Sequence, residues 1–443
     1  MASSKEQFGS RFAAIAALAG SAIGLGCIWR FPYMVGENGG AAYIIIYIVA
    51  TLLLCIPIFF AEFIIGRRSG ANCLGAMRKL APGTPWKWLG VLCMITPMII
   101  LCYYSVVGGW SIAYLLKSFD LSYPSSFAGY SSSVWAPLCA FTVYLGLTCL
   151  IVAGGIKKGI AAFSKVSIPI LFALIVFLAF YSITLKGSSA GIDYLFRPDW
   201  SKVDAHVVIN ALGQGFYSLS LGMGIIVTYA SYISKQDDMV VAGLGTAGFT
   251  LFFALLAGLA IMPAVFAAGI EPASGPGLIF DSLPFIFKSL SSSFPILGTI
   301  VAVLFFFSVS IAALTSSISL VEVPVAWLIE EKGFRRGRAV LLVFAIGLIG
   351  GVPCALNTGI FQSFDLLCCN VLLPIGGLLC VLFVGWKMKR DDVWDEFTNS
   401  GTLKLNVRLF GFVRFVLCYL APVAILAVFI RNFIYVTISC DFG

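Results

Sequence analysis

Apolar stretches long enough to cross a bilayer recur along this chain from residue 11 to residue 436. About eleven reach the ~20 residues a spanning helix needs. They lie near 11–37, 41–66, 88–116, 133–153, 160–185, 206–233, 239–268, 294–329, 338–356, 362–387 and 407–436. Hydrocarbon offers the backbone no hydrogen-bond partner, so such segments fold as helices that satisfy their own N–H and C=O groups. Of the 443 residues 60% are hydrophobic and only 11% are charged, with a mean hydropathy of +1.01. Soluble domains carry about 25% charged residues, so the fold class is an all-α membrane protein. No linker marks a second domain, and a single bundle is expected.

The net charge of +8 is concentrated in alternate loops. Arg67, Arg68, Arg78, Lys79 and Lys87 share one; Lys157, Lys158 and Lys165 share another. Lys332, Arg335, Arg336 and Arg338 form a third, and Lys387, Lys389 and Arg390 a fourth. All fall on the side of the N-terminus, which predicts a multi-pass cell-membrane protein with that terminus cytoplasmic. An odd number of spans puts the C-terminus outside. The basic balance thus points to the lipid bilayer as partner, with no nucleic acid. The opposite loops, 186–205 and 269–293, are longer and mixed in charge, able to cap a vestibule. Lys5 and Arg11 lead into the first span without a cleavage pattern, so no cleavable signal is expected. The 13 cysteines are scattered, with no CxxC and one adjacent pair, Cys368–Cys369; buried thiols are the better reading. His206 is the only histidine, and no phosphate-binding GxxxxGK[ST] is present. Zinc, triad and ATP chemistry therefore have no basis here, and no enzyme is expected.

Two spans carry their own weak points. Residues 20–33 read GSAIGLGCIWRFPY, with Gly20, Gly24 and Gly26 inside the apolar run, followed by Trp29, Arg30 and Pro32. Residues 214–224 read QGFYSLSLGMG. Glycine holds a helix interior poorly. A helix broken mid-membrane exposes N–H groups at the start of its second half and carbonyls at the end of its first. Those ends suit an anion and a cation. Either cluster alone reads better as a small-residue packing face; two in corresponding positions favour a transporter built from inverted repeats. Arg30 within a span is a functional candidate or one half of a structural ion pair. Glu62, mid-span, is expected to satisfy N–H groups freed by the break in span one, with a proton relay as the alternative.

These motifs resemble the neurotransmitter:sodium symporter family, in particular its bacterial amino-acid transporters. GSAIGLGCIWRFPY, ENGGAA at 37–42, PIFFAEFIIGRRSG at 57–70, SLSLGMGIIVTYASY at 218–232 and ALTSSISLVE at 313–322 carry the resemblance. It implies a LeuT-type 5+5 inverted-repeat helical bundle, with repeats at 11–185 and 206–387 and an extra C-terminal span at 407–436. It also implies an amino-acid substrate whose carboxylate meets Leu25, Gly26 and Tyr104. The ammonium would face Ala22, Tyr217, Ser218 and Ser220. The side chain would lie among Ile100, Tyr217, Met223, Ser316, Ser319 and Leu320, which suggests a hydrophobic or aromatic one.

The same resemblance places a second sodium site at Gly20, Ile23, Ala312, Thr315 and Ser316, an all-oxygen set suited to a hard cation. The first sodium site falls on Ala22, Cys27, Ser218 and Thr250. There the chain departs from the family: Cys27 replaces an asparagine, and a neutral thiol is a weak ligand for sodium. One sodium rather than two is the expectation. Ala254 stands where relatives carry an acid or a chloride-binding serine, so chloride dependence is not expected. Arg30 and Asp365 occupy the external gate positions and Lys5 and Glu330 the internal ones, with Phe8 where tryptophan is common. Gly159 and Pro169 match a spacing the family associates with unwinding of span five. The whole reads as a sodium-coupled amino-acid symporter. Proton coupling through Glu62, or a channel or receptor that binds without transporting, are the alternatives.

Overall fold

A computed structural model describes the backbone of residues 7–28, 30–272 and 276–441, and the same residues' side chains except at 293 and 432–441. Among them every regular element is a helix. Nine helices are long and apolar enough to span: Ala41–Ser69, Lys87–Lys117, Trp135–Ala153, Ile156–Ile183, Met239–Ala267, Pro295–Lys332, Arg336–Leu356, Thr358–Lys387 and Lys404–Arg431. The pair Arg11–Ala22 and Leu25–Glu37, bent by 69°, makes a tenth. The eleventh expected span is Ala205–Ser218 followed by Ile225–Ala230. Its two halves are too short to count singly because residues 219–224 are not helical. Numbered in chain order, the broken spans are one and six, as the glycine clusters require.

Polar residues begin several helices. Ser10, Asp204, Asp238 and Asn357 each accept a backbone N–H from the first turn, satisfying donors a helix start leaves free. Large apolar side chains stay on the outside: Leu150, Phe180, Ile349 and Val423 are all well exposed, the arrangement hydrocarbon favours.

Spans one and six occupy the centre. Span one packs on spans five, seven and eight, and the second half of span six packs on spans two and eight. Span three packs extensively on span eight, and also on spans four and nine. Span eleven leans on span ten, and the external helix Ser189–Phe196 lies on span seven. Span five opens with a wide π-helical turn, Ile156–Ala161, and continues as α-helix through Pro169. The expected unwinding between Gly159 and Pro169 is therefore absent from this conformation.

Candidate functional site

At the first break Ile23 leaves helical geometry (φ −80°, ψ 87°). The freed N–H of Leu25 donates to the Tyr104 hydroxyl at 3.2 Å. Gly26 is required by its neighbour, because a Cβ there would enter the Tyr217 ring. Trp29 lies outside the described residues.

At the second break Ser220, Gly222 and Gly224 have φ of 53°, 80° and 74°, a left-handed path open mainly to glycine. The Ser220 hydroxyl donates to Ser21 O at 2.9 Å, tying the two breaks together. Gly222 N–H donates to Glu62 Oε1 at 2.6 Å. Glu62 is fully buried, and it serves the break in span six, not that in span one. The reason is packing: the second half of span six lies against span two, which carries Glu62.

Between the breaks lies a small cavity of about 40 Å³. Ala22, Leu25, Gly26, Ile100, Tyr104 and Tyr217 line it, as do Ser218, Ser220, Met223, Ser316 and Leu320. Of the predicted substrate contacts only Ser319 is missing: fully buried, it donates to Ser316 O at 2.6 Å within its own helix. Ser21, Tyr103 and Ile225, to which no signal in the sequence points, also line the cavity, as does the helix-breaking Gly24.

Beside the cavity, carbonyls and hydroxyls converge. Thr315 Oγ1 is 2.9 Å from Ala312 O and 3.4 Å from Ile23 O. Ser316 Oγ is 3.3 Å from Ser21 O and 3.5 Å from both Gly20 O and Ile23 O. One hydroxyl proton cannot serve three carbonyls, and all three distances exceed the ~2.7–2.8 Å of a good O–H···O bond. Oxygens held about 2.4 Å from a hard cation at right angles stand about 3.4 Å apart. The spacing thus fits a cation among these oxygens. The other predicted ion ligands are engaged otherwise. Thr250 Oγ1 donates to Thr246 O at 2.7 Å, Cys27 Sγ to Ala22 O at 3.6 Å, and Ser218 Oγ accepts from Gln214 Nε2 at 3.0 Å.

Above the cavity, Arg30 lies over the Tyr217 ring, 5.2 Å from its centroid. Among the described residues it forms no ion pair with Asp365 within 4 Å; Asp365 instead accepts from Cys369 Sγ at 3.5 Å. Below, Lys5 lies outside the described residues. Glu330 accepts from Asn72 N and Nδ2 at 2.7 and 2.9 Å. Phe8 N–H donates to Tyr232 O at 3.1 Å, and the Phe8 ring meets Tyr229 edge-on. Arg11 pairs with Asp237 at 2.7 Å. Glu322, fully buried, holds both Arg336 and the Tyr232 hydroxyl. Its signal in the sequence is an acid within an apolar span, at the end of ALTSSISLVE.

The sequence profile of the Sodium:neurotransmitter symporter family matches residues 5–143 and 133–440. The chain belongs to that family. Among symporter relatives, the sodium-dependent transporter YhdH of Bacillus subtilis is 35% identical over 96% of this chain and 97% of its own length. A sodium-dependent transporter of Haemophilus influenzae is 33% identical over 97% and 98%. A crystal structure of MhsT in complex with L-phenylalanine superposes with a TM-score of 0.86 at 39% identity, covering 97% of this chain and all of that one. The bundle is accordingly of the LeuT type, and the symporter family it belongs to consists of sodium-dependent membrane transporters.

Proposed function

We propose that this chain imports an amino acid with a hydrophobic or aromatic side chain, coupled to sodium, by alternating access. The observation that carries this is the cavity between two broken helices with a hard-cation cluster at its wall. The exposed N–H end near Leu25 and Gly26, with the Tyr104 hydroxyl, suits a carboxylate. Carbonyls of Ala22, Tyr217 and Ser218, with Ser220, suit an ammonium. Opposed helix ends match a zwitterion in a medium where such contacts are strong. Ile100, Met223 and Leu320 leave the remaining wall apolar, and the phenylalanine bound by MhsT supports that class.

Sodium would sit among Gly20, Ser21, Ile23, Ala312, Thr315 and Ser316, joining span one to span eight and favouring the closed inner face. Because Cys27, Thr250 and Ser218 are engaged within the protein, one sodium drives each cycle, without chloride. The repeats at 11–185 and 206–387 supply the two broken helices, with the N-terminus cytoplasmic and the C-terminus external. Nothing in this cycle makes or breaks a covalent bond.

Reconstituted protein tested with labelled amino acids under sodium, lithium, potassium or choline gradients decides the matter. Phenylalanine or a similar residue should accumulate with sodium alone and exchange in counterflow. Saturable binding without accumulation would point to a receptor, and accumulation driven by a proton gradient would point to Glu62.

A further inference from the structure

A second cavity lies well away from the site above, where the ends of spans five and seven meet helix Leu283–Ser293 and the start of span eight. Its volume is about 270 Å³, near the lower end of the roughly 300–1,000 Å³ typical of ligand pockets. Its body is apolar, with Ala260 and Ala264 on span seven, Phe287 on the short helix and Phe294 before span eight. Tyr181, Ser182, Lys186 and Ser289 bring four polar side chains to its lining. Ser182 is 1% exposed, and its hydroxyl has no hydrogen-bond partner. Buried hydroxyls are seldom left so. Lys186 stands exposed one turn further out, and no ion pair involves it among the described residues.

The rim is that of a membrane-facing opening. Phe294, which lines the cavity, is 61% exposed, and Phe180, Phe285 and Ile296 beside it are more than half exposed. All three spans end here, so the opening lies where acyl chains give way to headgroups. A ligand entering from this side brings an apolar tail for the alanine-lined interior, a carbonyl or phosphate oxygen for Ser182, and negative charge for Lys186. We propose that this cavity binds the acyl chain of an anionic bilayer lipid, its headgroup held by Lys186 and an ester oxygen by Ser182. Small residues at Ala260 and Ala264 keep the volume open; a larger side chain there would fill it.

The test uses the full chain in nanodiscs containing a trace of phosphatidylglycerol with a photoreactive acyl chain, read by peptide mapping. Labelling should concentrate in residues 178–186 and 260–268 and be competed by unlabelled phosphatidylglycerol but not by phosphatidylcholine. Lys186→Glu should lower it about fivefold or more, the size expected of one lysine at an anionic surface. Ala264→Phe should abolish it while sodium-dependent substrate binding persists. If that variant fails to fold, Phe294→Ala and Ser182→Val provide the same comparison from the rim and the interior. Equal competition by phosphatidylcholine, or labelling unchanged in all these variants, would overturn the proposal. Displacement by oleate and not by phosphatidylglycerol would also overturn it, naming a free fatty acid as the occupant. None of these readouts requires transport, so the lipid site can fail while the symporter reading stands, and the reverse.

Discussion

Glu62 accepts the N–H of Gly222 inside a membrane span, where no water competes. Replacing it with leucine leaves that N–H buried and unpaired, at a cost of about 1–3 kcal/mol. Glu62→Gln keeps an acceptor oxygen in place. A thermal unfolding series in detergent should therefore show Glu62→Leu clearly destabilised, Glu62→Gln near wild type, and sodium preference unchanged in the glutamine variant. Conversion of uptake to gradient independence by Glu62→Gln would instead favour a proton relay. Cys27 gives a second test. Asparagine there adds an oxygen to the ligands around Ala22 and Thr250, so Cys27→Asn should raise the sodium Hill slope from about one towards two, the slope being bounded by the number of sites. A wild-type slope already near two would reject the one-sodium reading. These residues also mark the limit of the sequence. A carboxylate inside an apolar run announces a buried partner but not which partner, because sequence alone does not say which break packs against span two. The resemblance places Ser319 at the substrate, yet its hydroxyl turns back to Ser316 O, whereas Ser21, given no role by the sequence, contributes through its carbonyl, which no side-chain pattern reveals.

Among elements, the most legible were those that break a rule of membrane helices. Glycine clusters located spans one and six, and the lysine and arginine runs separated the loops. The short helix Arg390–Thr398 was invisible, being neither apolar nor long, yet it clamps the inner end of span two. Arg67 and Glu396 form an ion pair there with side chains 2% and 5% exposed. Arg67 also donates to Glu396 O and Asp237 O, both at 2.6 Å. Breaking one side of a buried pair costs about 3–5 kcal/mol, whereas replacing both partners with apolar residues can be nearly neutral. Arg67→Ala should lower the unfolding midpoint markedly, and Arg67→Met with Glu396→Leu should recover most of the loss. Equal damage from the single and double variants would mean that the backbone contacts, not the pair, hold the clamp.

For the whole molecule, the two faces are held unequally. On one face, Phe8, Arg11, Asn72, Tyr232 and Glu322 knit spans one, two, six and eight together; on the other, Arg30 and Asp365 are not paired. Inner closure should then rest on its buried contacts rather than its exposed ones. The Arg11 side chain is 71% exposed, and exposed pairs contribute only about 0–1 kcal/mol, so Asp237→Ala should shift the balance little. Glu322 is 0% exposed beneath Arg336 and Tyr232. Glu322→Ala removes the carboxylate that binds Arg336 and the Tyr232 hydroxyl, and although Arg336 keeps Val152 O, the lost charge-assisted bonds cost about 1.5–3 kcal/mol. A two-state balance moves tenfold for about 1.4 kcal/mol, enough for this one change to reverse which face is open. With Phe8→Cys as reporter, labelling by a thiol reagent from the cytoplasmic side should be slow in sodium and faster in choline. Added Glu322→Ala should make it fast in both, and added Asp237→Ala should leave it near the parent rate. Equal acceleration by the two substitutions would place the latch in the exposed pair and remove the buried carboxylate from the gating mechanism.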